Sequence, residues 1–392
     1  MLGDMKIWLR DLSLSAIVAG FVAVLVGFTS SVAIVFQAAQ ALGASPAQTS
    51  SWMWALGLGM GFTSLGLSLW TRQPVLTAWS TPGAALIAAT SGVPMSEAIG
   101  AFLVCGGLMV LFGATGWFER LMDRIPLAVA SALLAGVLAR FGLDAVLTVK
   151  TAPTLVLAMA GAYLLGKRAW PRYAVPGVLL SGVAVAAWQG RLQWSAVEWA
   201  WAKPVWTSPS FSMAALIGVA LPLFLVTMAS QNLPGVAAQR ASGYTTPVSR
   251  SITVTGLASV LFAPFGGYAF NLAAITAAIC MGREAHEDPR RRYVASSMAG
   301  VFYIALGLAG GAVVGLLAAF PRELVAAIAG LALLGTIAGG LSSALKEEKH
   351  RDAAILTFLV TLSGLSVLGI GSAFWGVVAG SISLLVQHLR SR

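Results

Sequence analysis

Long apolar runs separated by short polar or charged breaks recur from near residue 13 to near residue 388. A bilayer-spanning helix needs about 20 predominantly apolar residues to cover roughly 30 Å of hydrocarbon. Read on that scale, the pattern predicts fourteen membrane segments, near 13–41, 47–70, 74–91, 95–116, 125–147, 152–167, 173–189, 212–235, 250–263, 266–282, 293–318, 322–344, 353–369 and 372–388. The third and tenth differ from the rest. Residues 77–86, TAWSTPGAAL, and 269–278, AFNLAAITAA, each follow extended-favouring residues (Pro74, Val75 and Leu76; Gly267, Tyr268 and Ala269). Each then runs through small and polar positions into an apolar stretch too short to cross alone. These two segments are expected to be broken spans, a short extended strand followed by a half-helix; the plainer alternative is a kink at Thr81-Pro82-Gly83 in an ordinary helix.

Charge tests the count. With the N-terminus cytoplasmic, nineteen Lys and Arg fall on the cytoplasmic side, whereas only Lys150, Arg191, Lys203 and Arg322 fall outside and Arg140 lies within a span. That bias is the positive-inside rule, and moving one early span would scramble it. Both termini are therefore expected on the cytoplasmic side. Fourteen divides into seven and seven, and an odd number of spans makes a second copy insert upside down. The expected organisation is a first inverted repeat over 1–195 and a second over 210–392. Loose echoes agree: Pro126 opens the fifth span and Pro321 stands just before the twelfth, and Thr29-Ser30-Ser31 in span one has a polar analogue in Ser230-Gln231-Asn232 in span eight.

Composition excludes several classes. With 58% hydrophobic and 10% charged residues, the whole chain reads as an all-α integral membrane protein rather than a soluble domain on an anchor. The formal charge of +10 suggests nucleic acid only until the charges are placed, because they cluster at span ends. Cys105 and Cys280 lie in separate apolar runs and suit neither a disulfide framework nor a metal site. Lys6 and Arg10 precede an apolar run of roughly 25 residues, too long for a signal-peptide core, so the first span is expected to be retained. No nucleophile–base set, metal-ligand cluster or phosphate loop lies at membrane depth, so no enzyme and no cofactor is expected. The segment 190–210 carries four tryptophans and suits a membrane–water interface.

Polar residues inside spans need an account. They group as Thr29, Ser30, Ser31 and Gln37 with Phe36 in span one; Ser80, Thr81 and Gly83 in span three; Ser230, Gln231 and Asn232 in span eight; and Asn271 in span ten. Two half-helices meeting end to end would offer backbone N–H groups and positive dipole ends to one central anion. Ser30, Ser31, Gln37, Ser80, Thr81, Gln231, Asn232 and Asn271 would complete the hydrogen bonds, with the anion expected near Ser80, Thr81, Gly83 and Asn271 and oriented by Gln231 and Asn232, and Phe36, Trp79, Tyr268 and Phe270 would supply flat walls. The alternative is that the hydroxyls bond their own helix carbonyls and the small residues serve helix packing. Arg140 and Asp144, one turn apart in span five, form either a self-neutralised pair or a gating or proton-carrying element. Asp and Glu are absent from spans one, three, eight and ten.

TAWSTPGAAL (77–86), LPLFLVTMASQNLPGVAA (221–238), NLAAITAAICMG (271–282) and GIGSAFWGVVAG (369–380) resemble the benzoate:proton symporter family of bacterial inner-membrane proteins, and the likeness covers nearly the full chain. That family is similar in architecture to the nucleobase–ascorbate and sulfate permeases. The resemblance implies a core of spans 1–4 and 8–11 (11–118 and 211–319) and a gate of spans 5–7 and 12–14 (119–190 and 320–390). It also implies a substrate held between spans three and ten and lined by spans one and eight. The implied function is proton-coupled uptake of benzoate or a similar small aromatic carboxylate across the inner membrane. A homodimer accords with relatives of this architecture. Where nucleobase permeases carry acidic residues in spans eight and ten, this chain has Gln231 and Asn271. Loss of fixed negative charge fits an anionic substrate and leaves the proton-coupling residue unassigned. Two alternatives stay open: a permease of the same fold for a nucleobase or inorganic anion, and a passive anion channel.

Overall fold

The computed structural model describes residues 8–88, 90, 92–123, 125–170, 173–193, 201–245, 247–309, 319–365, 367 and 372–390, and within helices the side chains of 29, 30, 33, 85, 336 and 388–390 fall outside that description. A helix occupies each of the fourteen predicted segments. In chain order they are α1 Leu14–Ala41, α2 Pro46–Thr71, α3 Thr81–Ala88, α4 Met95–Ala114, α5 Leu127–Leu147, α6 Pro153–Ala169 and α7 Ala174–Trp188. There follow α8 Met213–Ala241, α9 Val248–Phe262, α10 Ile275–Met281, α11 Tyr293–Ala309, α12 Arg322–Ala344, α13 Arg351–Ser363 and α14 Ser372–Arg390. Among the described residues, seven helices are long and apolar enough to cross a bilayer by length and composition, namely α2, α4, α5, α8, α9, α11 and α12.

Local chemistry sets the ends. Ser45 and Gln48 form a reciprocal capping box at the start of α2, with Pro46 at the first helical position, where its missing N–H is harmless. Arg72 in a left-handed conformation stops the same helix. Helix α13 ends at Ser363, short of the predicted residue 369, because Gly364 takes the left-handed conformation that terminates a helix (φ +69°).

Helix α8 departs from the sequence expectation in its interior. Two wide turns with π-type bonding, at 216–220 and 228–232, interrupt it. Each lies just before a proline, Pro222 and Pro234, whose ring would collide with the carbonyl four residues back and which has no N–H to give. Widening the preceding turn relieves both problems, so the helix continues without breaking.

Spans three and ten are interrupted as expected. Strand β1, Thr77–Trp79, leads into α3, and strand β2, Phe270–Leu272, precedes α10. The strands pair antiparallel with Thr77 opposite Leu272, Ala78 opposite Asn271 and Trp79 opposite Phe270. Three-residue strands leave polar backbone that lipid cannot satisfy, and the flanking helices satisfy it instead. Ser64 on α2 accepts from the Thr77 N–H at 3.0 Å, and Ser259 on α9 accepts from the Phe270 N–H at 2.9 Å. Asn232 accepts from the Leu272 N–H at 2.9 Å, and Gln239 donates to the Pro74 carbonyl at 2.8 Å.

Around this crossing the helices pack through small residues, as expected where lipid offers no hydrophobic gain for association. Helix α2 lies on α11, where a Cβ on Gly57 would come within 2.5 Å of the Gly307 Cα. Helix α4 lies on α9 in the same manner through Gly106 and Gly256. Further close pairs are α5 with α12, α6 with α7, and α13 with α14. Large apolar side chains such as Leu164, Leu180, Leu261 and Leu385 remain exposed on the outside, where lipid would cover them.

Candidate functional site

A cleft of about 70 Å³ opens where the two strands meet the two half-helices. Its polar lining comes from Ser31 on α1, Thr81 in the first turn of α3, Gln231 on α8, Thr276 in the first turn of α10 and Tyr303 on α11. Met60, Trp79, Phe141 and Ile275 supply apolar walls, and Ala78 and Ala273 supply strand-side surface. Among the described residues, no acidic or basic side chain lines it. A cleft of this size suits one small solute rather than a drug-sized ligand, which takes about 300–1,000 Å³.

The wide turn at 228–232 sets which residue faces the cleft. It brings Gln231 to the lining and leaves Asn232 fully buried, with its Oδ1 on the Leu272 N–H and its Nδ2 donating to the Met228 sulfur at 3.2 Å. Asn232 thus fixes β2, while Gln231 is free to meet a solute.

The hydroxyls divide in the same way. Thr63, Thr71, Thr253 and Thr357 each donate to the carbonyl four residues back, as the helix-bonding alternative requires. Thr81, Thr276, Tyr303 and the Gln231 amide make no hydrogen bond to protein among the described residues. Four such polar groups gathered in one cleft form a candidate binding surface, because each is left to be satisfied by whatever occupies the cleft. The first turns of α3 and α10 add the positive ends of two helix dipoles.

The other sequence candidates fall elsewhere. Ser80 caps α3, its Oγ accepting from the Gly83 N–H at 3.2 Å and from the Thr227 hydroxyl at 2.8 Å. Gly83 is packed against Ser80 and Leu223, with no room for a Cβ. Ser31 lines the cleft but accepts the Trp79 indole N–H at 3.0 Å and donates to the Gly27 carbonyl, so it positions the Trp79 wall. Asn271 is fully buried at the centre of the strand pair, with Nδ2 toward the Ala269 carbonyl at 3.4 Å and Oδ1 without a partner among the described residues. Tyr268 packs behind the strand against Trp52 and Phe102 and does not line the cleft. Phe36 is half-buried and Gln37 exposed, both outside the lining. The Ser30 side chain lies outside the described residues. Arg140 and Asp144 are both exposed and form no ion pair with each other; the Arg140 guanidinium instead fills the space beside Gly364.

Sequence reasoning missed Thr276, Tyr303 and Phe141. Thr276 sits five residues after Asn271, and the strand–half-helix pattern could have pointed to it, since Thr81 holds the matching first-turn position. Tyr303 lies in a largely apolar helix where no local signal marks it, whereas Phe141 directly follows Arg140, whose charge drew the reading away from the ring beside it.

A polytopic helical bundle with a cleft lined by uncharged polar and apolar side chains at two broken helices is a membrane transporter by class. The model of the family described as Benzoate membrane transport protein matches residues 10–386, and the chain belongs to that family, one of transporters rather than enzymes. It is 50% identical over 374 residues to the Inner membrane protein YdcO of Escherichia coli, covering 95% of this chain and 96% of that protein. It is 40% identical over 378 residues to the Benzoate membrane transport protein of Acinetobacter baylyi, covering 96% of each. Among solved structures it is similar to the transmembrane domain of the cyanobacterial bicarbonate transporter BicA, with a TM-score of 0.46 and 14% identity over 95% of this chain and 98% of that one. It is also similar to SLC26A9, with a TM-score of 0.49 and 12% identity over 98% of this chain and 67% of that one.

Proposed function

We propose that this protein is a secondary active transporter that carries benzoate, or a similarly small aromatic carboxylate, inward together with a proton across a bacterial inner membrane. The observation that carries the reading is the uncharged cleft whose unpaired Thr81, Gln231, Thr276 and Tyr303 groups sit with two helix dipole ends. A carboxylate would accept hydrogen bonds from these donors and be favoured by both dipoles. The flat Trp79 and Phe141 walls suit an aromatic ring. Membership of the benzoate transport family and the 40% identity to a curated benzoate transporter support the substrate class.

The proposed architecture is fourteen spans in two inverted repeats with both termini cytoplasmic. Exchange of each helix for the one seven places on turns the α2–α11 contact into α9–α4 and the α6–α7 contact into α13–α14, which supports it. The antiparallel strand pair, centred on Ala78 and Asn271, supports it too. In this reading α1–α4 and α8–α11 form a core that moves against a gate of α5–α7 and α12–α14, with Phe141 as the gate's wall of the cleft.

The test is uptake of radiolabelled benzoate into proteoliposomes, with protein-free liposomes subtracted for neutral benzoic acid crossing the lipid. The expected result is accumulation above the external level under an inward proton gradient, collapsing with a protonophore. Gln231→Glu places a carboxylate in the cleft and is expected to abolish that uptake. No protein-dependent flux would end the benzoate assignment, and flux without accumulation would make the protein a channel.

A further inference from the structure

We infer that Tyr303 is a substrate-recognition residue, its phenolic hydroxyl donating to the carboxylate of the transported anion, and that Gly27 keeps the space this contact needs. The inference rests on the cleft being the substrate site. Tyr303 is 2% exposed, on the unbroken helix α11, well away in sequence from every polar motif. A tyrosine so deeply enclosed ordinarily gives its hydroxyl to a protein acceptor. This one has none among the described residues, and it lines the cleft.

The opposite wall is shaped around it. A Cβ built on Gly27 would lie 3.1 Å from the Tyr303 hydroxyl oxygen and 3.0 Å from the Thr276 methyl. Gly27 is itself a lining residue, in the middle of α1, where glycine weakens a helix relative to alanine. Its value there is the room it leaves between α1, the first turn of α10 and the tyrosine. The Tyr303 hydroxyl and the Thr276 methyl thus flank the space that a side chain on Gly27 would fill. A phenol is a stronger donor to a carboxylate than to a neutral carbonyl, so this contact selects an acid over its amide.

The substitution Tyr303→Phe removes one oxygen and nothing else. Because that oxygen bonds to no protein group, a merely structural role predicts no change in stability or transport. The experiment measures benzoate counterflow and thermal unfolding in detergent for the wild type, Tyr303→Phe, Gly27→Ala and Gln231→Glu, with benzamide as a competitor. Tyr303→Phe is expected to unfold at the wild-type temperature and to raise the KM for benzoate about 10-fold or more with little change in maximal rate. It should also narrow the preference for benzoate over benzamide. A KM within twofold of wild type would overturn the inference. Gly27→Ala keeps the hydroxyl but crowds it, and reads the same contact should Tyr303→Phe fail to fold; an unchanged KM there would likewise overturn it. If Gln231→Glu also transports benzoate normally, the cleft is not the site and the reading beneath this inference falls with it. If Gln231→Glu is inactive and Tyr303→Phe is normal, the inference alone falls.

Discussion

Single polar side chains in this molecule divide into those that hold the strands and those left for a solute, and hydrogen-bond partners draw the line. Ser64, Ser259, Asn232 and Gln239 each satisfy one backbone group of the crossing. Where water is excluded, a donor left without a partner costs its full desolvation penalty. Ser259→Ala orphans the buried Phe270 N–H and is expected to lower stability by about 1–3 kcal/mol. A fall in the thermal unfolding temperature in detergent checks this, and an unchanged temperature would mean water replaces the hydroxyl. Thr81→Ala and Thr276→Ala remove hydroxyls with no protein partner and should leave unfolding unmoved while weakening benzoate uptake. The same distinction explains why residue types alone misplace the site. Asn232 and Gln231 are neighbours of similar chemistry, yet one is spent on β2 and the other faces the cleft. Tyr268 looks like a wall residue in sequence but packs behind the strand, whereas Tyr303 has no polar neighbour in sequence to betray it.

At the scale of elements, much was legible. The fourteen helical segments follow from apolar run length, and the two interrupted spans follow from extended-favouring residues ahead of short apolar stretches. The wide turns of α8 were not legible, because Pro222 and Pro234 equally suit a kink, a break or a helix start. The choice among these depends on tertiary packing, here the demand that Asn232 reach the Leu272 N–H. Cleft residues on unbroken helices were hidden for a related reason: which face of a largely apolar helix turns inward is set by its neighbours, and the turns of α11 around Tyr303, from Met298 to Ala309, carry no other polar side chain. The wide turn carries its own prediction. Pro234→Ala restores an N–H and removes the ring, so the turn at 228–232 is free to tighten to regular α-helix and rotate Gln231 away from the cleft. Uptake is expected to fall about 10-fold or more while thermal stability holds or rises, since proline within a helix costs about 3 kcal/mol. Normal uptake with raised stability would show that the turn survives without its proline.

Over the whole molecule, the proposed core and gate meet at the cleft and again at an ion pair far from it. Lys167 at the end of α6 lies 2.6 Å from the Glu284 carboxylate, three residues past the end of α10. The Glu284 side chain is only 6% exposed, and Gly335 on α12 leaves the space it occupies. In the proposed division, α6 and α12 belong to the gate and α10 to the core, so this pair ties the half-helix that carries Thr276 to the opposing domain. In the proposed topology both residues sit at the cytoplasmic face. The proposed alternating access by core movement would part them once in every cycle, because α10 cannot travel with the cleft while its far end stays fixed to α6. Replacing both with cysteine and joining them through a short, reducible thiol cross-linker should therefore arrest benzoate uptake, and reduction should restore it. Cys105 and Cys280 are fully buried, which keeps the reagent on the introduced pair. Uptake that continues with the bridge intact would mean that this junction moves as one body and that the boundary between core and gate lies elsewhere.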